Sequence, residues 1–301
     1  MNPDLAFTLS IVFVLVGQIL NAVIVLIDKY IVTKTSISKP GVYAFYVSLM
    51  SGIVLILVPF GVIDIPDSET IWLSLNIGFV FVASILFLFR ALKHANATDV
   101  VAWLTAISTL TTFIFGAIFL NEQLPKTFPY AMALFILGIL FVGHFRFYAR
   151  SFLQVVVSGI LFGLSAVLLK ILFSHTDFVD GFFWSRMGNL IAALSLLALP
   201  SIRNHVFIIS KNTSHRTSFL VIANRILGGV AFLFILYAIH LGSVSVVNAL
   251  SSLQFVFVFL LILFFAKKLP DLYHHEFRTG HILHKVIAMF FIVLGFSVLF
   301  L

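Results

Sequence analysis

The sequence predicts an all-α integral membrane protein whose ten transmembrane helices form two inverted five-helix repeats. Three observations predict this. There are ten apolar stretches, each long enough to cross a bilayer. Basic residues crowd the connections on one side. An ordered series of matches relates the two halves. Of the 301 residues, 61% are hydrophobic and 10% charged, and mean hydropathy is +1.18, more apolar side chain than a soluble core absorbs. A membrane helix needs about 20 mostly apolar residues. The bilayer core offers no water to backbone amides, so each run pairs its own amides as a helix. Barrel strands alternate apolar and polar residues, whereas these runs are solidly apolar.

Span one, 6–27, follows Met-Asn-Pro-Asp. Without a basic leading segment, and with too long an apolar run for a signal peptide, it reads as a retained helix. Span two, 41–60, opens at Pro40-Gly41 and ends near Pro59. Span three, 71–92, follows Pro66, and Pro125 and Pro129 separate span four, 97–119, from span five, 128–146. Spans six, 152–173, and seven, 182–200, come next, the latter ending at Pro200. Span eight, 217–239, span nine, 243–266, and span ten, 284–301, complete the set, with Pro270 in the last connection. No proline lies near the middle of a span, so no proline-broken helix is expected.

The 28–40, 90–96, 146–151, 201–216 and 267–285 connections carry fourteen of the 18 Lys and Arg residues, while the opposite connections carry Lys126 alone. Basic loops stay cytoplasmic. Both termini are therefore expected outside a cell membrane. The formal net charge of +7 is then a topology signal, and no nucleic-acid partner is expected. The absence of cysteine excludes disulfides and thiolate metal sites.

The halves, 1–148 and 149–301, match in order. Ala131–Gly138 (AMALFILG) resembles Ala288–Gly295 (AMFFIVLG). Lys29 and Lys170, like Pro59 and Pro200, are 141 residues apart. An offset of 147 pairs Ala91 with Ala238, Thr98 with Ser245 and Thr105 with Ser252. Five spans per half force the second half to enter the membrane from the other side. Inverted repeats of this kind place a substrate site at their interface and let one scaffold open to either side.

Ala91-Leu92-Lys93-His94-Ala95 ahead of span four, Phe119-Leu120-Asn121-Glu122-Gln123-Leu124 at its end, and Tyr237-Ala238-Ile239-His240-Leu241-Gly242 in the second half resemble the drug/metabolite transporter superfamily, in particular its EamA-like ten-helix members. The resemblance covers essentially the whole chain. It departs where Leu104–Thr109 and Ser251–Val256 lack the family's proline, and where Lys267-Lys268-Leu269-Pro270 replaces a second Glu-x-Leu. It implies alternating-access transport of small metabolites, often outward.

Ionisable groups inside a membrane tend to face a cavity. Arg225, beside Asn224, and Arg186 are the candidates, and guanidinium binds carboxylates with two parallel hydrogen bonds. Lys170 and Arg90 are close enough to span ends to snorkel. Asp28 and Asp99 lie near cytoplasmic ends, and pairing of either with Arg225 would weaken the anion argument. Thr105, Ser108, Thr109 and Thr112 make one helical stripe, and Ser245, Asn248 and Ser252 another. Gln18, Asn21 and Asp28 share a side of span one. Such stripes serve either helix packing or a pathway. Trp103 and Tyr237 are candidate wall residues, and Trp184 and Tyr43 read as interfacial belt residues. Gly159 and Gly163 read as a packing motif. The histidine-rich 274–284 segment reads as a solvated loop.

The expected function is transport of a small-molecule substrate, an amino or organic acid, with export favoured. No cofactor or metal is expected, a monomer suffices, and a dimer stays open. A nucleotide-sugar carrier or a flippase on the same fold is the main alternative. A membrane-embedded enzyme for lipid-linked substrates is the other, and it lacks the paired carboxylates or triad that such chemistry needs.

Overall fold

The computed structural model describes residues 3–35, 37–120, 124–142, 149–212, 214–265 and 279–298. Glu122, the Lys267-Lys268 pair and His274-His275 lie outside these residues. Among the described residues every regular element is helical: α1 (Pro3–Lys34), α2 (Pro40–Leu49), α3 (Ser68–His94), α4 (Ala97–Phe119), α5 (Phe128–Val142), α6 (Ala149–His175), α7 (Phe178–Ser195), α8 (Pro200–Asn212), α9 (His215–Leu241), α10 (Val244–Leu250), α11 (Leu253–Phe265) and α12 (Thr279–Val298). Seven helical stretches are long and apolar enough to cross a membrane. The chain is a multi-pass, all-α membrane protein. Its exposed Ile, Leu and Phe residues, such as Ile53, Phe219, Phe264 and Phe290, are its lipid-facing surface.

Three local features differ from the sequence expectation. Residues 201–216, read as a loop, contain α8, which turns by 99° from α7 at Pro200. Ile202 and Val206 are buried, and Tyr46 donates to the Val206 carbonyl at 3.1 Å. Span two changes character beyond Leu49, where Met50–Phe60 continues as a 3₁₀ helix. Runs that long are uncommon in 3₁₀ geometry and often mark a hinge. Span nine is interrupted between α10 and α11. Ser251 and Ser252 pair their amides with the Asn248 and Ala249 carbonyls, one residue short of α-helical spacing. The Ser252 hydroxyl also takes the Ala249 carbonyl at 2.7 Å, the local competition by which serine loosens a helix.

Several helix contacts come in matching pairs. α1 lies along α9, and α3 lies along α6. α5 and α12 cross each other reciprocally. A Cβ on Gly138 would sit 2.9 Å from the Ala288 carbonyl oxygen, and one on Gly295 would sit 3.0 Å from that of Ala131. Lys29 donates to the Leu92 and Ala95 carbonyls, at 2.6 and 2.8 Å, where α3 ends. Lys170 donates to the Ile239 and Gly242 carbonyls, both at 2.7 Å, where α9 ends. Each ammonium thus satisfies carbonyls that a helix C-terminus leaves unpaired, at the negative end of its dipole. Lys170 is therefore a helix cap rather than a snorkelling side chain.

The close contact of α3 with α7 has no such match. α3 packs closely on α7, where Gly78 and Gly188 bring the backbones together. A Cβ on Gly78 would fall 2.1 Å from the Gly188 carbonyl, and one on Gly188 would fall 1.8 Å from the Ser74 oxygen. α9 makes no comparable contact with α2 or the 3₁₀ segment. The residue of α9 at the offset of 147 from Gly78 is Arg225. Glycine allows helix contact on one side of the molecule, and arginine spans a gap on the other.

Candidate functional site

That gap belongs to a central cavity of about 480 Å³. Its wall draws on α1, the 3₁₀ segment, α3, α4, α6, α7, α9 and the α10–α11 break. Most of the lining is apolar. The polar and charged groups fall into three sets.

The first set closes around Asp28, which is 4% exposed. Its carboxylate accepts from the Tyr43 hydroxyl and the Arg225 guanidinium, and from Asn224 Nδ2 at 2.7 Å. Arg225 also donates to the Tyr43 hydroxyl at 3.0 Å. One carboxylate therefore ties α1, α2 and α9 together. Asp28 and Arg225 form a mostly buried ion pair. Tyr43 and Asn224 add hydrogen bonds to the carboxylate, which offset part of the cost of burying the pair, while Arg225 Nε and Asn224 Oδ1 are left without a partner among the described residues. The Arg225 charge is consequently compensated, which weakens the expectation that Arg225 binds a substrate anion. Tyr43, read as a belt residue, is fully buried, and its ring centroid lies 4.5 Å from that of Phe89.

The second set is built on Arg186, about 12 Å along α7 from its start. Its guanidinium carbon lies 3.7 Å from the Phe232 ring centroid, 5.6 Å from Phe81 and 6.0 Å from Phe182. Its buried Nε has no hydrogen-bond partner, and no acidic side chain among the described residues pairs with it. A charge at the bilayer centre costs at least about 2.5 kcal/mol. A cation–π contact returns about 0.5–2 kcal/mol. The three rings can therefore hold the cation in place while leaving its planar donors unused.

The third set is neutral. Gln18 donates to the Ser251 hydroxyl at 2.8 Å, and its buried Oε1 has no hydrogen-bond partner among the described residues. Thr109 donates to the Asn248 carbonyl at 2.8 Å, and Asn248 Nδ2 donates to Thr112. These bonds join α1 and α4 to the α10–α11 break.

Of the residues singled out from the sequence, Gln18, Asn21, Thr105 and Ser108 line the cavity, as do Arg186, Arg225 and Asn248. Five others sit elsewhere. Trp103 packs edge-on against Phe152, with centroids 5.3 Å apart. Tyr237 lies between Phe13 and Phe178, at 5.1 and 5.2 Å. Thr109 serves the α4–α10 contact, Asn224 serves Asp28, and Ser252 bonds within its own helix. Sequence reasoning missed Tyr43 as a partner of Asp28, and Phe81, Phe182 and Phe232 as the box around Arg186. The placement of Asp28 on the Gln18–Asn21 side of span one was an available signal. Nothing marks three phenylalanines among 36.

No protein-family model matches the chain, and no curated protein matches it. A solved structure described as "Crystal structure of protein" superposes with a TM-score of 0.62 at 17% identity, covering 95% of this chain and 98% of that one. The likeness is one of fold, over nearly the full length of both chains.

Proposed function

We propose that this chain is a secondary transporter for a small organic metabolite, an amino or organic acid, working by alternating access in the manner of EamA-like drug/metabolite transporters. Residues 1–148 and 149–301 would be inverted five-helix repeats. The ten spans would comprise the seven long stretches, the bent α7–α8 pair, and the shorter apolar helices within α5 and α12. The observation that carries the reading is the central cavity, walled by helices from both halves and tied across one end by the Asp28–Tyr43–Arg225 knot. The repeat reading draws support from the matching lysine caps and the reciprocal Gly138–Ala288 and Gly295–Ala131 contacts. The two interruptions, at Met50 and at Ser251-Ser252, both border the cavity, and broken helices supply substrate sites in inverted-repeat transporters. The basic connections support an orientation in a cell membrane with both termini outside. The outward direction rests on the family resemblance.

One observation favours a second reading, a carrier or flippase for a lipid-linked or nucleotide-sugar substrate. Ile53 in the 3₁₀ segment and Ile226, Val230 and Leu233 in α9 line the cavity yet are exposed on its rim, so the wall there is an apolar seam. Counterflow in proteoliposomes against labelled amino acids, organic acids, nucleotide sugars and lipophilic cations separates these. Saturable exchange of an amino or organic acid supports the first reading. Exchange confined to nucleotide sugars, or scrambling of a lipid-linked probe, supports the second.

A further inference from the structure

We infer that Arg186 and its phenylalanines are the anion receptor of this cavity, and that its solute is an organic monocarboxylate with a flat apolar body and no ammonium group. The inference rests on the transport reading and narrows its substrate class.

Three charged side chains line the cavity: Asp28, Arg186 and Arg225. Asp28 and Arg225 neutralise each other. Arg186 remains, so the cavity carries one net positive charge and matches one negative charge on a solute. A second carboxylate would have no cation to meet. An ammonium would have no uncompensated anion, because the one carboxylate in the wall is already ion-paired with Arg225.

Shape and surface point the same way. Phe232 lies over one face of the Arg186 guanidinium, and that ring makes an edge contact with Phe81 at 5.8 Å. Phe81 in turn meets Phe162 edge-on, again at 5.8 Å. A carboxylate presented to the in-plane donors of the guanidinium makes two parallel hydrogen bonds without displacing Phe232 from its face. The apolar body behind it would lie among these rings, where offset and edge contacts favour a flat partner. Gln18 Oε1, buried with no hydrogen-bond partner among the described residues, can accept from a hydroxyl or amide N–H on that body. A neutral acceptor of this kind suits a neutral donor and leaves an ammonium unbalanced.

The test uses three solutes that share one ring and differ in charge: phenylacetate, phenylalanine and phenethylamine, with indole acetate, tryptophan and tryptamine as a larger set. Binding is measured on the purified full chain, and counterflow on the same protein in proteoliposomes. The expected result is that the acids bind at least about tenfold more tightly than the amino acids and amines, the scale of a hydrogen bond to a charged group. R186Q should lose acid binding by a similar factor, while R186K, a point charge without the planar fork, should keep part of it. The comparison among solutes needs no variant, so it stands even where R186Q fails to fold. Amines or amino acids binding as well as the acids, no acid binding at all, or acid binding unchanged in a folded R186Q would each overturn the inference. Counterflow separates the two levels. Exchange of an amine or amino acid sinks the monocarboxylate assignment and keeps the transporter. Acid binding without exchange keeps the anion site and sinks transport.

Discussion

Asp28 and Arg225 stand 197 residues apart in sequence and share one buried bond network. Removing either partner leaves the other as an uncompensated buried charge. Asp28→Asn and Arg225→Gln should each destabilise the folded chain by about 3–5 kcal/mol. The double variant should recover most of that loss. Thermal unfolding in detergent of the four proteins measures the cycle, and strictly additive losses would show that the pair is not coupled. Outside the membrane, Asp67 caps α3 by accepting from the Thr70 amide at 2.8 Å. The Thr70 hydroxyl and amide hold the Asp67 carboxyl below its ordinary value. A depressed folded pKa means the cap is fully effective above the ordinary carboxylate range and is lost as pH falls through the lowered value. Asp67→Asn keeps a capping side chain and removes the charge, so melting of that variant should vary less with pH across the acid range. The individual polar residues were legible in the sequence because charge inside an apolar run is conspicuous. Their partners were not, because neither Tyr43 nor Asn224 carries a local mark of facing Asp28.

Helix existence and order were the most legible features, since twenty apolar residues in a row leave a chain few options. Two of the three departures fall where no strong punctuation exists. The 3₁₀ segment Met50–Phe60 starts without a proline, just ahead of Ser51-Gly52, and the α10–α11 break rests on two serines. α8 read as a loop because its basic, mixed composition gives no membrane signal, although Ile202 and Val206 share its buried side. Gly159 and Gly163, read as a packing motif, bring α6 against Leu104, Ile107, Ser108 and Thr111 of α4. Three further glycines should separate packing from cavity. A Cβ on Gly78 or Gly188 meets backbone atoms, so Gly78→Ala or Gly188→Ala should destabilise by about 1–3 kcal/mol through overpacking. A Cβ on Gly229 meets nothing within 4 Å, so Gly229→Ala should be neutral or stabilise its helix by up to about 1 kcal/mol. Equal losses at all three positions, measured by thermal unfolding, would contradict the close α3–α7 approach.

The whole molecule has two unequal sides. α3 is sealed onto α7 through glycine, while α9 is held off α2 by an arginine that reaches across the gap to Tyr43 and Asp28. The cavity lies where that closure is missing. A cysteine-free chain makes the proposed orientation simple to test. Ile65→Cys should react with an impermeant maleimide added to intact cells, and Ser214→Cys should react only after lysis. The reverse pattern would invert the topology read from the basic connections. The apolar runs of the sequence revealed an all-α, multi-pass membrane protein. They could not reveal the cavity's chemistry, which depends on which charges find one another across the fold. The most direct measurement of the central claim is solute counterflow in proteoliposomes for the wild type and Gly229→Trp, a substitution that fills the cavity from a position with room for it. Saturable exchange is expected in the wild type, and its loss in a variant that remains folded. Exchange that survives a tryptophan at residue 229, or no exchange of any small solute by folded wild type, would contradict it.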